Sequence, residues 1–140
     1  MKLSKIYILM LIIFLSAGSP FASALQLEEF VKRQNNLVSL SGVFGELHHI
    51  RRTCVPALES TIWRDRMQNL VSLEEPDSET HLKMVTAFND GFQKSKSRFS
   101  QCTKSAQEEG KNLAFRGATL VRDLTDPLEE SIATPALQTF

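Results

Sequence analysis

Close-set cysteines are missing from this sequence. Its two cysteines, Cys54 and Cys102, are far apart, so the Cys-x-x-Cys framework of a zinc ribbon or a dithiol redox centre is absent. A charge excess is missing too. Sixteen Lys and Arg balance sixteen Asp and Glu, which argues against general electrostatic affinity for nucleic acid. The chain has no glycine-rich phosphate loop, no Gly-x-Ser-x-Gly nucleophile turn, no haem-attachment motif, no internal repeat and no low-complexity tract. Beyond Ala24 no apolar run is long enough to cross a bilayer.

The one long apolar run stands at the start. Lys2 and Lys5 precede Ile6–Leu15, ten residues without a charge. As a helix, ten residues cover roughly 15 Å, about half of a bilayer core. Gly18, Ser19 and Pro20 interrupt the run, and Ala22-Ser23-Ala24 places small residues where a signal peptidase needs them. The pattern predicts a signal peptide over residues 1–24, a helical domain over 25–126 and a mobile C-terminal tail over 127–140. An uncleaved anchor is the alternative; a lipoprotein lacks the cysteine that would have to follow the apolar run. The expected location is periplasmic or secreted, with no transmembrane anchor after cleavage. Removing Lys2 and Lys5 leaves 14 basic and 16 acidic residues, a net charge of −2. The remaining length suits one hydrophobic core.

Apolar residues recur at helical spacing. Leu27, Phe30, Val31, Leu37, Val38, Phe44, Leu47 and Ile50 predict a first helix from about Gln26 to Arg52. Gly42 and Gly45 inside it suggest a kink or a close helix contact, of which contact is preferred, and Pro56 stops it near Cys54. Ser60 or Thr61 caps a second helix bearing Trp63, Met67, Leu70 and Val71, which ends at Pro76. Asp77 or Ser78 caps a third, with Leu82, Val85, Phe88, Phe92 and Phe99 as its stripe. Ser105 with Glu108 forms a capping-box pattern for the fourth, and Thr103 is a rival cap. That helix carries Leu113, Ala114, Leu120, Val121 and Leu124, with Gly110 and Gly117 at contact positions, and Asp126-Pro127 closes it.

Four such helices with short connections predict an all-α fold, an antiparallel up-down-up-down four-helix bundle. Helices one and three then run the same way, so Cys54 and Cys102, each just past a helix end, arrive at one end of the bundle. An even cysteine count in an oxidising compartment predicts a disulfide between them. Its cofactor expectation is none.

The stretches LHHIRRTC, WRDRMQ, AFNDGF and FSQC resemble a family of small exported alphaproteobacterial proteins, a conserved domain of unknown function. The resemblance covers Leu37 to Leu124. Its most specific marks are Cys54, Trp63-Arg64, the Phe88–Phe92 segment and Cys102. The family's two cysteines match both positions, which supports a structural pair. The resemblance implies no activity, so it assigns no catalytic residue.

The most chemically loaded stretch is His48-His49-Ile50-Arg51-Arg52-Thr53-Cys54. Adjacent helical histidines diverge by about 100°, so a metal site would need a carboxylate such as Glu46 or Glu59 in support. A metal protein or hydrolytic enzyme using His48 or His49 is the alternative reading. Charge distribution says more. The cysteine end (residues 46–66 and 94–112) holds nine basic and five acidic residues, net +4; the rest of the chain after Ala24 is −6. Helix dipoles account for part of this, but Arg64 and Arg66 near a helix N-terminus run against them. The expected function is a non-enzymatic binding or structural module of the cell envelope. Its expected contact residues are His49, Arg51, Arg52, Trp63 and Arg64, and its expected partner an anionic protein, polymer or lipid headgroup. No catalytic or metal-ligating residue is assigned.

Overall fold

The computed structural model of the chain describes the backbone of residues 20–133 and the side chains of 24–126. The expected signal peptide falls almost wholly outside these residues. Among the described residues five helices follow one another: α1 (Pro20–Cys54), the single turn α2 (Pro56–Glu59), α3 (Ile62–Glu74), α4 (Ser78–Arg98) and α5 (Lys104–Ala133). The described residues divide into two units between Val31 and Lys32; the bundle described below is the second.

The bundle is antiparallel, and cross-links at both ends show it. At one end, Arg33 near the start of the bundle pairs with Glu74 at the end of α3 and donates to the Leu124 carbonyl late in α5. Gln34 donates to Asp77, just ahead of α4. At the other end, Cys54 is bonded to Cys102, with a Cα–Cα distance of 4.9 Å. The expected pairing, and the up-down-up-down order that implied it, are both present.

Local chemistry explains where the helices begin. The Asp77 carboxylate accepts from the Glu79 and Thr80 N–H groups, capping α4. Thr103, not Ser105, caps α5, its Oγ1 accepting from Ala106 N at 3.2 Å. Pro56 sits at the first position of α2, where its missing N–H costs nothing. Thr61 occupies the N-cap of α3 but makes no side-chain cap bond. The helix α5 does not close at Asp126-Pro127; its backbone stays helical through Ala133. An internal proline removes one N–H donor and crowds one carbonyl, and here the helix runs on. Of the expected tail, residues 134–140 lie outside the described residues.

The core is organised around α1. Between Leu37 and Ile50 this helix is buried on most sides, through Leu37, Leu40, Ser41, Val43, Leu47 and Ile50 among others. Two apolar clusters stack along it. Leu37 and Leu40 meet Met67, Met84 and Leu124 in one. Val43, Leu47 and Ile50 meet Leu113 in the other, with Cys54, Trp63 and Phe99 against its edge.

The face of α4 differs from the expected stripe. Leu82 and Val85 are exposed, whereas Thr80, Met84, Gly91 and Ser95 are buried. The cause is a backbone-close crossing. A Cβ at Gly45 would collide with the Phe88 carbonyl, and one at Gly91 would collide with the Gly42 carbonyl and lie 3.2 Å from Glu46 N. Small residues, not large apolar ones, therefore turn inward there. Gly42 and Gly45 mark a close contact, as preferred above. Gly110 and Gly117 of α5 play the expected contact role against Ile50 and Val43.

Candidate functional site

The loaded segment occupies the last turns of α1, beside α2 and the start of α3. Glu59, partly sheltered at the end of α2, is its hub. Its two oxygens accept from the Arg51 guanidinium, Nε lying 2.8 Å from Oε2. Oε2 also accepts from Trp63 Nε1 at 2.9 Å. One carboxylate thus joins α1 to α3 across the turn between them. The Arg51 hydrogen bonds, aided by Trp63, lower the Glu59 pKa to about 2.

That shift has a stability consequence. A carboxyl whose folded pKa lies below its ordinary value of 4.5 contributes stability above that value and loses it as pH falls towards 2. Arg51 is 39% exposed, so water screens the pair, and the contribution is about 1–2 kcal/mol rather than the full linkage value. Glu59→Gln is expected to lower the unfolding free energy measured in urea at pH 7 by that amount and to flatten its decline between pH 4.5 and 2. An acid limb identical to wild type would dismiss the hub role.

The expected contact residues separate into different environments. Arg51 and Trp63 are joined through Glu59, so Arg51 is not a free cation. His49 is turned to α4: its Nε2 lies 2.6 Å from the Phe99 carbonyl, which fixes the proton on that nitrogen, and its ring meets Phe92 edge-on. It therefore satisfies a carbonyl at the C-terminal end of α4. Arg52 is exposed and makes no ion pair within 4.0 Å among the described residues. Arg64 is more than half exposed, and its nearest carboxylate, that of its neighbour Asp65, is 3.9 Å away. Arg66, not Arg64, stacks on Trp63, its guanidinium carbon 4.4 Å from the ring centroid. The cation–π contact accounts for a cation that the α3 dipole alone disfavours.

His48 lies in a slot between Phe88 and Phe92, ring centroids 5.8 and 5.6 Å away. Its Nδ1 is buried without a hydrogen-bond partner. Burial, then the nearby Arg52 and Arg64 charges, push the imidazole below its ordinary range, so it is neutral at pH 7. The two histidines diverge and the two carboxylates considered for a metal, Glu46 and Glu59, are each held by cations. Among the described residues no three His, Cys, Asp or Glu side chains converge as ligands.

A second site escaped the sequence reading. Between α1 and α5 lies a groove of about 610 Å³ lined by Val43, Glu46, Phe115, Arg116 and Leu120, with Ser39, Gly42 and Thr119 completing it. Glu46 is almost fully buried, and its Oε1 accepts from Lys94 of α4 at 3.1 Å and from Arg116 of α5 at 3.3 Å. Its Oε2 is buried without a partner. The available signal was Glu46 itself, an acidic residue within an otherwise apolar and small-residue run.

These elements define a disulfide-closed, all-α bundle in which cations collect at the bridged end. No described helix is long and apolar enough to cross a membrane. The chain belongs to the protein family of unknown function DUF2385, whose model matches residues 33–127. That span coincides with the bundle and contains both cysteines. No curated protein and no solved structure matches the chain.

Proposed function

We propose that this chain is an exported, non-enzymatic binding module of the cell envelope that meets a polyanionic partner through Arg52 and Arg64. The observation carrying the reading is how little they are neutralised: Arg52 has no ion pair within 4.0 Å among the described residues, and Arg64 has only the 3.9 Å contact with its exposed neighbour Asp65. Around them Arg51 is spent on Glu59 and Arg66 on Trp63, whereas Arg52 and Arg64 project into solvent beside a neutral imidazole. An exposed guanidinium without a close, hydrogen-bonded internal carboxylate is free to bind phosphate or carboxylate bidentately. Export is supported by the three-part leader and by the Cys54–Cys102 bridge, which persists in oxidising compartments.

Trp63 is the only tryptophan in the chain, so its fluorescence reports on this surface. The test titrates the secreted product, whose first residue is expected to be Leu25, with anionic phospholipid vesicles and separately with polyglutamate. At least one probe is expected to shift Trp63 emission saturably, with an affinity that falls with added salt. Arg52→Glu with Arg64→Glu is expected to weaken that binding about tenfold or more, equivalent to about 1.4 kcal/mol, with the circular-dichroism spectrum unchanged. Lys83→Glu on α4 serves as the control. Absence of a saturable shift with both probes, or a double variant that binds like wild type, removes the reading.

A further inference from the structure

The groove between α1 and α5 is independent of the arginine surface and carries its own argument. Glu46 has only 5% of its surface exposed, yet its two oxygens are treated unequally. Oε1 takes both cations, Lys94 and Arg116, while Oε2 is buried and receives nothing. A buried acceptor without a donor is costly, and its residue lines a groove whose apolar wall is Val43, Phe115 and Leu120, with Ser39, Gly42 and Thr119 beside them. The cations, for their part, are only partly used. Lys94 and Arg116 are each about half exposed and keep N–H groups beyond the one that each gives to Glu46.

We propose that this groove binds a free α-amino acid with an apolar side chain. Its head group must do two things at once: donate to Glu46 Oε2 and accept from Arg116 and Lys94. A simple amine does the first but brings a third cation to a site already net positive. A simple carboxylate does the second but leaves Oε2 unpaired and sets a second anion beside Glu46. The zwitterion satisfies both, its ammonium facing Glu46 and its carboxylate the guanidinium and ammonium. Turning Oε2 towards the ligand needs rotation about the terminal torsion of Glu46, which is soft. The apolar side chain then covers Val43 and Leu120 and stacks against Phe115, which is 74% exposed. At about 610 Å³ the groove falls within the roughly 300–1,000 Å³ range of small-molecule pockets.

The experiment is a two-dimensional amide NMR titration of the oxidised protein with L-phenylalanine and L-leucine, against phenethylamine and 3-phenylpropionate. Saturable shifts are expected for at least one amino acid, confined to groove residues, with Kd below about 1 mM. Both comparators are expected to bind at least about tenfold more weakly. Arg116→Gln, a change at a half-exposed side chain, is expected to abolish saturation while leaving the rest of the spectrum in place. Glu46→Gln is expected to do likewise; if that protein does not fold, Arg116→Gln decides alone. The Arg52→Glu/Arg64→Glu protein is expected to bind the amino acid as wild type does. No saturable shift up to about 10 mM, equal binding of either comparator, or an Arg116→Gln protein that binds like wild type overturns the proposal.

Discussion

Gly91→Ala is expected to destabilise the bundle by about 3 kcal/mol or more, at the upper end of what overpacking costs, and Gly45→Ala to be comparably severe. Overpacking between side chains is relieved by rotamer changes. Here the atoms met are backbone: the Phe88 carbonyl against Gly45, and the Gly42 carbonyl and Glu46 amide against Gly91. Relief requires α1 and α4 to separate, which would unpack Met84 from Leu37 and Leu40 and widen the slot holding His48. Against a typical net stability of about 5–15 kcal/mol for a domain, the loss is large. Gly117→Ala is the informative contrast. Its Cβ would meet Val43 Cγ1 at 3.4 Å and Leu40 Cδ1 at 3.9 Å, both side-chain atoms at ordinary van der Waals distance, while alanine gains up to about 1 kcal/mol of helix propensity. Urea unfolding of the three variants should therefore give two large losses and one change near zero. Equal midpoints for Gly91→Ala and Gly117→Ala would refute the backbone-close crossing.

Breaking the bridge is the second large effect. Cys54 and Cys102 are 48 positions apart, and closing a loop of that length removes about 4 kcal/mol of unfolded-state freedom on the chain-entropy argument. Cys54→Ser with Cys102→Ser is expected to lose about 2–4 kcal/mol, and the introduced serines do not recover the packing of Cys54 against Val43, Leu47 and Ile50. The same loss should appear when the wild type is unfolded in reductant, and the doubly substituted protein should be indifferent to reductant. If all three midpoints coincide, the bridge contributes nothing to stability.

Periodicity made the helices legible, because alternation at three and four residues is a direct image of a buried face. Topology followed from short connections, and the pairing of Cys54 with Cys102 followed from topology. The face of α4 was not legible for a physical reason. Leu82 and Val85 have the hydrophobicity of core residues but lie outside the crossing, and of the four inward positions Thr80, Met84, Gly91 and Ser95 only Met84 carries a hydrophobic signal. Packing distance there is set by the absence of side-chain atoms, which a hydrophobic pattern does not register. The contacts within the candidate site were hidden for a related reason. Arg51 and Arg64 are the same residue type in the same charged neighbourhood, and only the position of Glu59 decides which of them is available. The contacts that separate His49 from His48, and that place Lys94 and Arg116 on one oxygen of Glu46, join helices far apart in the chain, so no local window contains them.

The central position of α1 also has a temporal meaning. Of the helices of the bundle this one is made first, yet the surfaces that shelter it belong to α3, α4 and α5, and the thiol that locks its end arrives 48 residues later. A nascent chain halted before α4 therefore holds an amphipathic rod with apolar flanks in water and no means of closing. The bundle can close around α1 only once α4 and α5 have been made.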